Sequence, residues 1–185
     1  EEKGTGEEEG TGGATKRSVL VNGSFAPVNT AELQTAVDAC VAETSNGSCP
    51  IFAASDYASG LPYGSIGFWN ISKVTSLSSL FKDKNYFNQD ISAWDVSRVT
   101  TLLNTFYKAY AFNSDISAWD VSKVITLHNT FYTANAFNSN ISAWDVSKVT
   151  TLSSTFTNAY AFNSDISAWD VSNVINLHRT FQAAS

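Results

Sequence analysis

The feature that most constrains this 185-residue chain is a period of 25 residues. The stretch from Ile116 to Asn140, ISAWDVSKVITLHNTFYTANAFNSN, recurs before and after itself without an insertion. Copies begin at Ile66, Ile91, Ile116, Ile141 and Ile166, which puts Trp69, Trp94, Trp119, Trp144 and Trp169 at the fourth position of each. A fixed period of this length marks stacked repeats, in which no copy can bury its apolar side chains alone and each covers its neighbour. The five tryptophans are therefore expected to form a core ladder.

Two apolar spacings meet within a copy. Ile91, Trp94 and Val96 follow an Ile-x-x-Trp-x-Val frame that matches the strand-forming L-x-x-L-x-L frame of leucine-rich repeats. Val99, Leu102 and Phe106 then follow at spacings of three and four, which predicts one face of a short helix. Ser97 and its counterparts Ser72, Ser122, Ser147 and Ser172 precede that stripe as candidate N-caps. The sequence thus predicts an α/β solenoid. It is a leucine-rich-repeat-like, right-handed stack of five strand-plus-short-helix repeats over residues 66–185, with an N-terminal helical cap.

Ahead of the stack, residues 1–16 read as a flexible acidic tail of Glu, Gly and Thr. Residues 17–65 read as a capping region. It opens with a short strand, Val19 to Val21, that ends at Asn22-Gly23. Asn29 with Glu32 then has capping-box form, and Leu33, Ala36, Val37, Cys40 and Val41 recur at helical spacing. Such a helix is expected to cover the open end of the first copy.

The runs FNQDISAWDVSRVTTL, FNSDISAWDVSKVITL and FNSNISAWDVSKVTTL resemble the mycoplasma-type surface lipoprotein repeat, a relative of the BspA-like leucine-rich repeats. The resemblance covers residues 66–185. It implies a solenoid on secreted or cell-surface proteins and no enzymatic role. Leu102, Leu127, Leu152 and Leu177 stand where that family often has Met.

The net charge of −6 disfavours nucleic acid and anionic membrane as partners. No apolar run reaches the length of about 20 residues needed for a membrane span. Cys40 and Cys49 bracket a polar loop, and a disulfide there fits an oxidising compartment, extracellular or at the cell surface. Free thiols and half of a metal site are the alternatives, the latter without a CxxC or a nearby His. Of the Asn-x-Ser matches at Asn22, Asn46, Asn70 and Asn140, the first and second are the candidate glycan sites.

Stacking turns repeat positions into columns. Asp95, Asp120, Asp145 and Asp170, headed by Asn70, lie about 4.8 Å apart on the strand face and repel by about 0.9 kcal/mol per pair in bulk water. Either divalent cations or hydrogen bonds from neighbouring Ser and backbone amides offset that, and the sparse carboxylates favour the second. Asn88, Asn113, Asn138 and Asn163 form a candidate Asn ladder, with Asp90, Asp115, Asn140 and Asp165 just beyond. His128 and His178 stand two copies apart, too far to share a metal ion.

No nucleophile constellation or phosphate loop is present, so no enzyme, cofactor or metal is expected. The strand face hardly varies between copies, whereas the following segment does, and it carries Tyr107, Tyr110, Tyr132 and Tyr160 as candidate partner contacts. The expected function is a structural or protein-interaction module of a surface, secreted or large-assembly protein. It would act through a protein partner or self-assembly at the open C-terminal end. The alternative is an ice- or mineral-binding repeat, for which Thr105, Thr130, Thr155 and Thr180 supply a column.

Overall fold

The structure, a computed structural model, describes residues 25–56 and 62–184. The acidic tail, the strand at Val19 to Val21 and Asn22 lie outside the described residues. The first regular element is α1 (Thr30–Glu43), and Asn29 Oδ1 caps it by accepting the Glu32 N–H at 2.9 Å. Glu32 reaches one residue beyond the cap, its carboxylate accepting the Val28 N–H at 2.9 Å. The buried side of α1 carries Leu33, Ala36, Val37 and Cys40. A short helix, α2 (Pro50–Ala54), follows, with Pro at its start. Ile66–Phe68 then makes one 3₁₀ turn into the repeats.

The strand-plus-helix solenoid predicted from the spacings is not what the chain forms. Beyond the 3₁₀ turn the described residues contain no helix and no sheet, only isolated parallel bridges joining Thr101, Thr126, Thr151 and Asn176. Each copy is a 25-residue coil made of consecutive tight turns. The Ile-x-x-Trp frame closes such a turn, with the Trp94 N–H donating to Ile91 O at 3.1 Å, and Val99 N–H to Val96 O at 2.8 Å closes the next. Ser97 caps no helix. Its own N–H donates to Asp95 Oδ1 at 3.0 Å.

The spacing of three and four after Val99 also comes from turns. Asn104 and Lys108 sit in the left-handed region, at φ 55° and 56°, and their counterparts in every copy do the same. A helix cannot pass through a left-handed residue. Instead, alternate N–H groups leave the coil: those of Leu102, Asn104, Phe106 and Lys108 donate to the carbonyls of Thr126, His128, Thr130 and Tyr132 at 2.8–3.2 Å. The intervening amides close i to i−3 bonds, as from Thr105 to Leu102 and from Tyr107 to Asn104. The same four-bond ladder joins every consecutive pair of copies.

Side chains complete the junctions. Each of Trp94, Trp119, Trp144 and Trp169 donates its indole N–H to the first carbonyl of the preceding copy, at 2.9–3.1 Å. All five tryptophans are buried. Phe81, Phe106, Phe131, Phe156 and Phe181 form a continuous ring stack with centroid spacings of 5.4 to 5.7 Å. Phe87, Phe112, Phe137 and Phe162 make a second stack beside it at 6.0 to 6.3 Å.

Because every ladder N–H points toward the C-terminal end, the first copy presents carbonyls at its outer face. The cap answers this chemically. Thr30 Oγ1 donates to Ser76 O at 3.0 Å and Gln34 Nε2 to Leu80 O at 3.2 Å, from residues one turn apart on α1. Lys84 pairs with Asp38 of α1 at 2.6 Å.

This architecture makes the aromatic stack the main source of stability. Phe131→Ala should cost about 3–5 kcal/mol, while Ile125→Ala, at a position 52 % exposed, should cost no more than about 0.5 kcal/mol. Urea unfolding followed by tryptophan fluorescence measures both, and equal costs would contradict the interior placement of the stack.

Candidate functional site

The outward surface of the stack is a set of columns, and their geometry separates those engaged with the chain from those free to meet something else. The threonine column is interior. Thr105, Thr130 and Thr155 have no exposed surface, and Thr180 is also buried. Each hydroxyl donates to a Leu carbonyl of the preceding copy at 2.9–3.0 Å. These hydroxyls cannot face an ice or mineral lattice.

The asparagine column is exposed at its side chains but engaged through them. The Asn113, Asn138 and Asn163 N–H groups each donate to the Oδ1 of the asparagine one copy earlier at 2.8 Å. A second amide contact, Asn129 Nδ2 to Asn104 Oδ1 at 3.1 Å, runs parallel on the other flank.

Both aspartate columns are also locally engaged. Asp115 and Asp120 each accept the N–H of the serine two residues on, at 2.9 and 3.0 Å, and the pattern repeats at Asp90, Asp145, Asp165 and Asp170. Hydrogen bonds from those serines, hydroxyl and main-chain N–H alike, hold all six carboxyls below the usual aspartate range. The Lys123 and Lys148 ammonium groups add a smaller effect in the same direction at Asp120 and Asp145. Among the described residues no group of three or more His, Cys, Asp or Glu side chains is placed to hold a metal ion. His128 Nδ1 lies 2.9 Å from Ser153 O, while His178 is exposed.

The four tyrosines do not form one patch. Tyr107 and Tyr132 stack on each other, with centroids 4.8 Å apart and planes 10° from parallel. Lys82 and Lys108 lie over the Tyr107 ring at 5.6 and 5.3 Å. The facing sides of this pair are thus used within the chain. Tyr110 and Tyr160 are 39 % and 55 % exposed and stand two copies apart in one column, alternating with Asn85 and Asn135.

Two further exposed aromatics escaped the sequence reading. Phe68 is 75 % exposed and occupies the column that later holds Ala93, Ala118, Ala143 and Ala168. Tyr86 is 67 % exposed, in the column of Ala111, Ala136 and Ala161. Comparison down those columns was the signal that would have found them. Both border recesses beside the loop that the Cys40–Cys49 disulfide closes. Both cysteines are buried.

On the outer face of the fifth copy, Leu177 and Phe181 are half exposed, whereas Leu152 and Phe156 beneath them are buried. The N–H groups of Leu177, Arg179, Phe181 and Ala183, the counterparts of the ladder donors, meet no acceptor among the described residues. Among the described residues no helix is long and apolar enough to cross a membrane.

A stack of turn-built 25-residue coils, closed at one end by a helix, is the class of protein that this geometry defines. The family described as "Mycoplasma protein of unknown function, DUF285" matches residues 53–146 and 116–185, and the chain belongs to it. The kinship with BspA-like leucine-rich repeats is not part of that match. No curated protein and no solved structure matches the chain.

The aspartate geometry carries a pH dependence. Carboxyls held below their ordinary value stabilise the fold above about pH 4, and that contribution is lost as pH falls through the lower native values. Asn140 already fills one such place, accepting the Ser142 N–H at 3.0 Å without titrating. Asp115→Asn with Asp165→Asn should therefore keep the turns and flatten the decline of Tm between about pH 5 and about pH 3. Parallel Tm curves for variant and parent would show that these bonds do not discriminate the charged form.

Proposed function

We propose that the stack is a non-enzymatic module that presents a fixed row of side chains to a protein partner, on a secreted, surface-displayed or large-assembly protein. One observation carries this reading: the inward apolar side chains repeat, while the segment that follows them differs between copies and reaches the surface at Tyr110, Tyr160 and His178. The inward positions are filled by Ile, Trp, Val, Leu and Phe in copy after copy. The varying positions read Leu103, His128, Ser153 and His178 in one column, where Ser153 is buried and His178 exposed, and Tyr110, Asn135 and Tyr160 in another, where the tyrosines are exposed. A rigid interior with a variable exposed flank is what a recognition surface requires, and Tyr supplies large contact area at low entropy cost. The Cys40–Cys49 bond supports an oxidising compartment.

Self-assembly through the outer face of the fifth copy is a less favoured form of this proposal, for a reason of polarity. Two such faces brought together would oppose main-chain donors to donors. Head-to-tail stacking would supply carbonyls, but α1 covers those of the first copy. Whatever covers that face, a further copy of the repeat or another molecule, has to offer a row of acceptors.

Photo-crosslinking residues placed at Tyr110 and Tyr160 should capture one discrete protein. Tyr110→Ala with Tyr160→Ala should then weaken its binding at least about 10-fold and leave Tm within about 1 °C of the parent. Unchanged binding of the captured protein to the double variant would remove this flank from the proposal.

A further inference from the structure

We infer that Asn46 is a site of N-linked glycosylation. Asn46-Gly47-Ser48 has the acceptor pattern Asn-x-Ser. Asn70-Ile71-Ser72 and Asn140-Ile141-Ser142 share it, and the structure separates the three.

Asn70 is half-buried where the cap meets the first copy. Its N–H donates to Phe25 O at 2.8 Å, and its Oδ1 accepts both the Ser72 N–H and the Ser72 hydroxyl. Asn140 is exposed but stands in a column with Asp115 and Asp165 one copy away on each side. A pyranose ring is about as wide as the copy-to-copy step of about 5 Å, so a glycan there would crowd both carboxylates.

Asn46 has no such neighbours. It lies at the exposed tip of the loop closed by the Cys40–Cys49 disulfide, flanked by exposed Ser45 and Ser48. The loop is fixed from behind. Gln89 Nε2 donates to Asn46 O at 3.2 Å, and Gly47 sits at φ 83° against Phe87, where a Cβ would approach the ring within 2.7 Å. That contact and that φ require glycine as the middle residue of the triplet. The Ser48 N–H donates to Asn46 Oδ1 at 3.0 Å, and Nδ2 meets no acceptor among the described residues.

Room and a contact surface are both present. Asn46 borders an open recess with Glu43, Thr44, Ser48 and Tyr86. Tyr86 is the aromatic that replaces alanine in its column, and its exposed ring gives the apolar side of the first sugar a face to pack on.

The chemistry is a group transfer. A bond forms between Asn46 Nδ2 and the anomeric carbon of an oligosaccharide, that carbon's bond to the pyrophosphate of a polyprenol-linked donor breaks, and one amide proton is released. Neither partner is oxidised or reduced.

The inference rests on the secreted placement proposed above, and the test keeps the two apart. The full chain, carried by a cleavable secretion leader, is translated with endoplasmic-reticulum microsomes and digested with peptide-N-glycosidase. The expected result is a glycosidase-sensitive form in which Asn46 is converted to Asp. Asn46→Gln and Ser48→Ala should each abolish glycan on that peptide, with the Cys40–Cys49 bond still formed. Recovery of unmodified Asn46 from leader-processed chain, or glycan on Asn140 or Asn70 but not on Asn46, overturns the site. Since the leader forces entry, the site result stands apart from the placement, which a cytosolic location of the protein in its native cell would overturn.

Discussion

The structure depends on one arrangement of the backbone: in one stretch of each copy, Leu102 to Lys108 in the second, every second N–H reaches the next copy. It is made possible by two left-handed residues per copy, at Asn104 and Lys108 in the second and at Asn129 and Thr133 in the third. A left-handed residue reverses the turn and brings the next peptide back into line with the axis. Asn, Asp and Ser tolerate that conformation at modest cost, whereas Thr133 and Arg179 adopt it with a steric penalty that the ladder bonds must offset. Helix and sheet each satisfy all main-chain groups by one rule. Along this stretch N–H groups that close local turns alternate with N–H groups that reach the next copy, so neither set forms without the other.

Carbonyls that already close a turn accept a second hydrogen bond from a side chain of the next copy, which explains several buried polar residues. The Thr105 and Thr130 hydroxyls and the tryptophan indoles all donate to main-chain oxygens of the preceding copy. A buried hydroxyl without such a partner would cost about 1–3 kcal/mol, and here the partner is generated by the same repeat. The indole thus serves twice, as the apolar bulk of the core and as a donor across the junction. The cap follows the same logic. Thr30 and Gln34 are polar residues of an amphipathic helix, yet they point at the stack, because its first face offers carbonyls and not apolar surface alone.

The period, the interior columns and the capping helix were legible in the sequence, because the length of a repeat and the burial of Trp and Phe do not depend on the local conformation. The conformation of the copies was not. A spacing of three and four arises from a helical turn and equally from a run of tight turns whose alternate residues face inward, so Val99, Leu102 and Phe106 cannot tell the two apart. Asn104 and Asn129 carried a hint of the left-handed region, but Lys108 and Thr133 argue the other way by residue type. The threonine column misled for a related reason. A hydroxyl reads as surface until a turn carbonyl with room for a second donor is known to lie inside.

The outward flank owes its pattern to the same economy. At the column of Asn85, Tyr110, Asn135 and Tyr160, the small amide can turn in: with its amide oriented to donate, Asn85 reaches Lys108 O at 2.8 Å and Asp83 O at 3.3 Å, and Asn135 Oδ1 is buried. A phenol is too large for that place and stays outside, as Tyr110 and Tyr160 do. The column therefore alternates between an inward amide and an outward ring, with a repeat of two copies. In the column of Leu103, His128, Ser153 and His178 the histidines also stand two copies apart, in the third and fifth copies, out of step with the tyrosines of the second and fourth. A duplicated 50-residue unit produces both alternations at once, so a partner that reads this flank meets a surface whose period is twice that of the core beneath it.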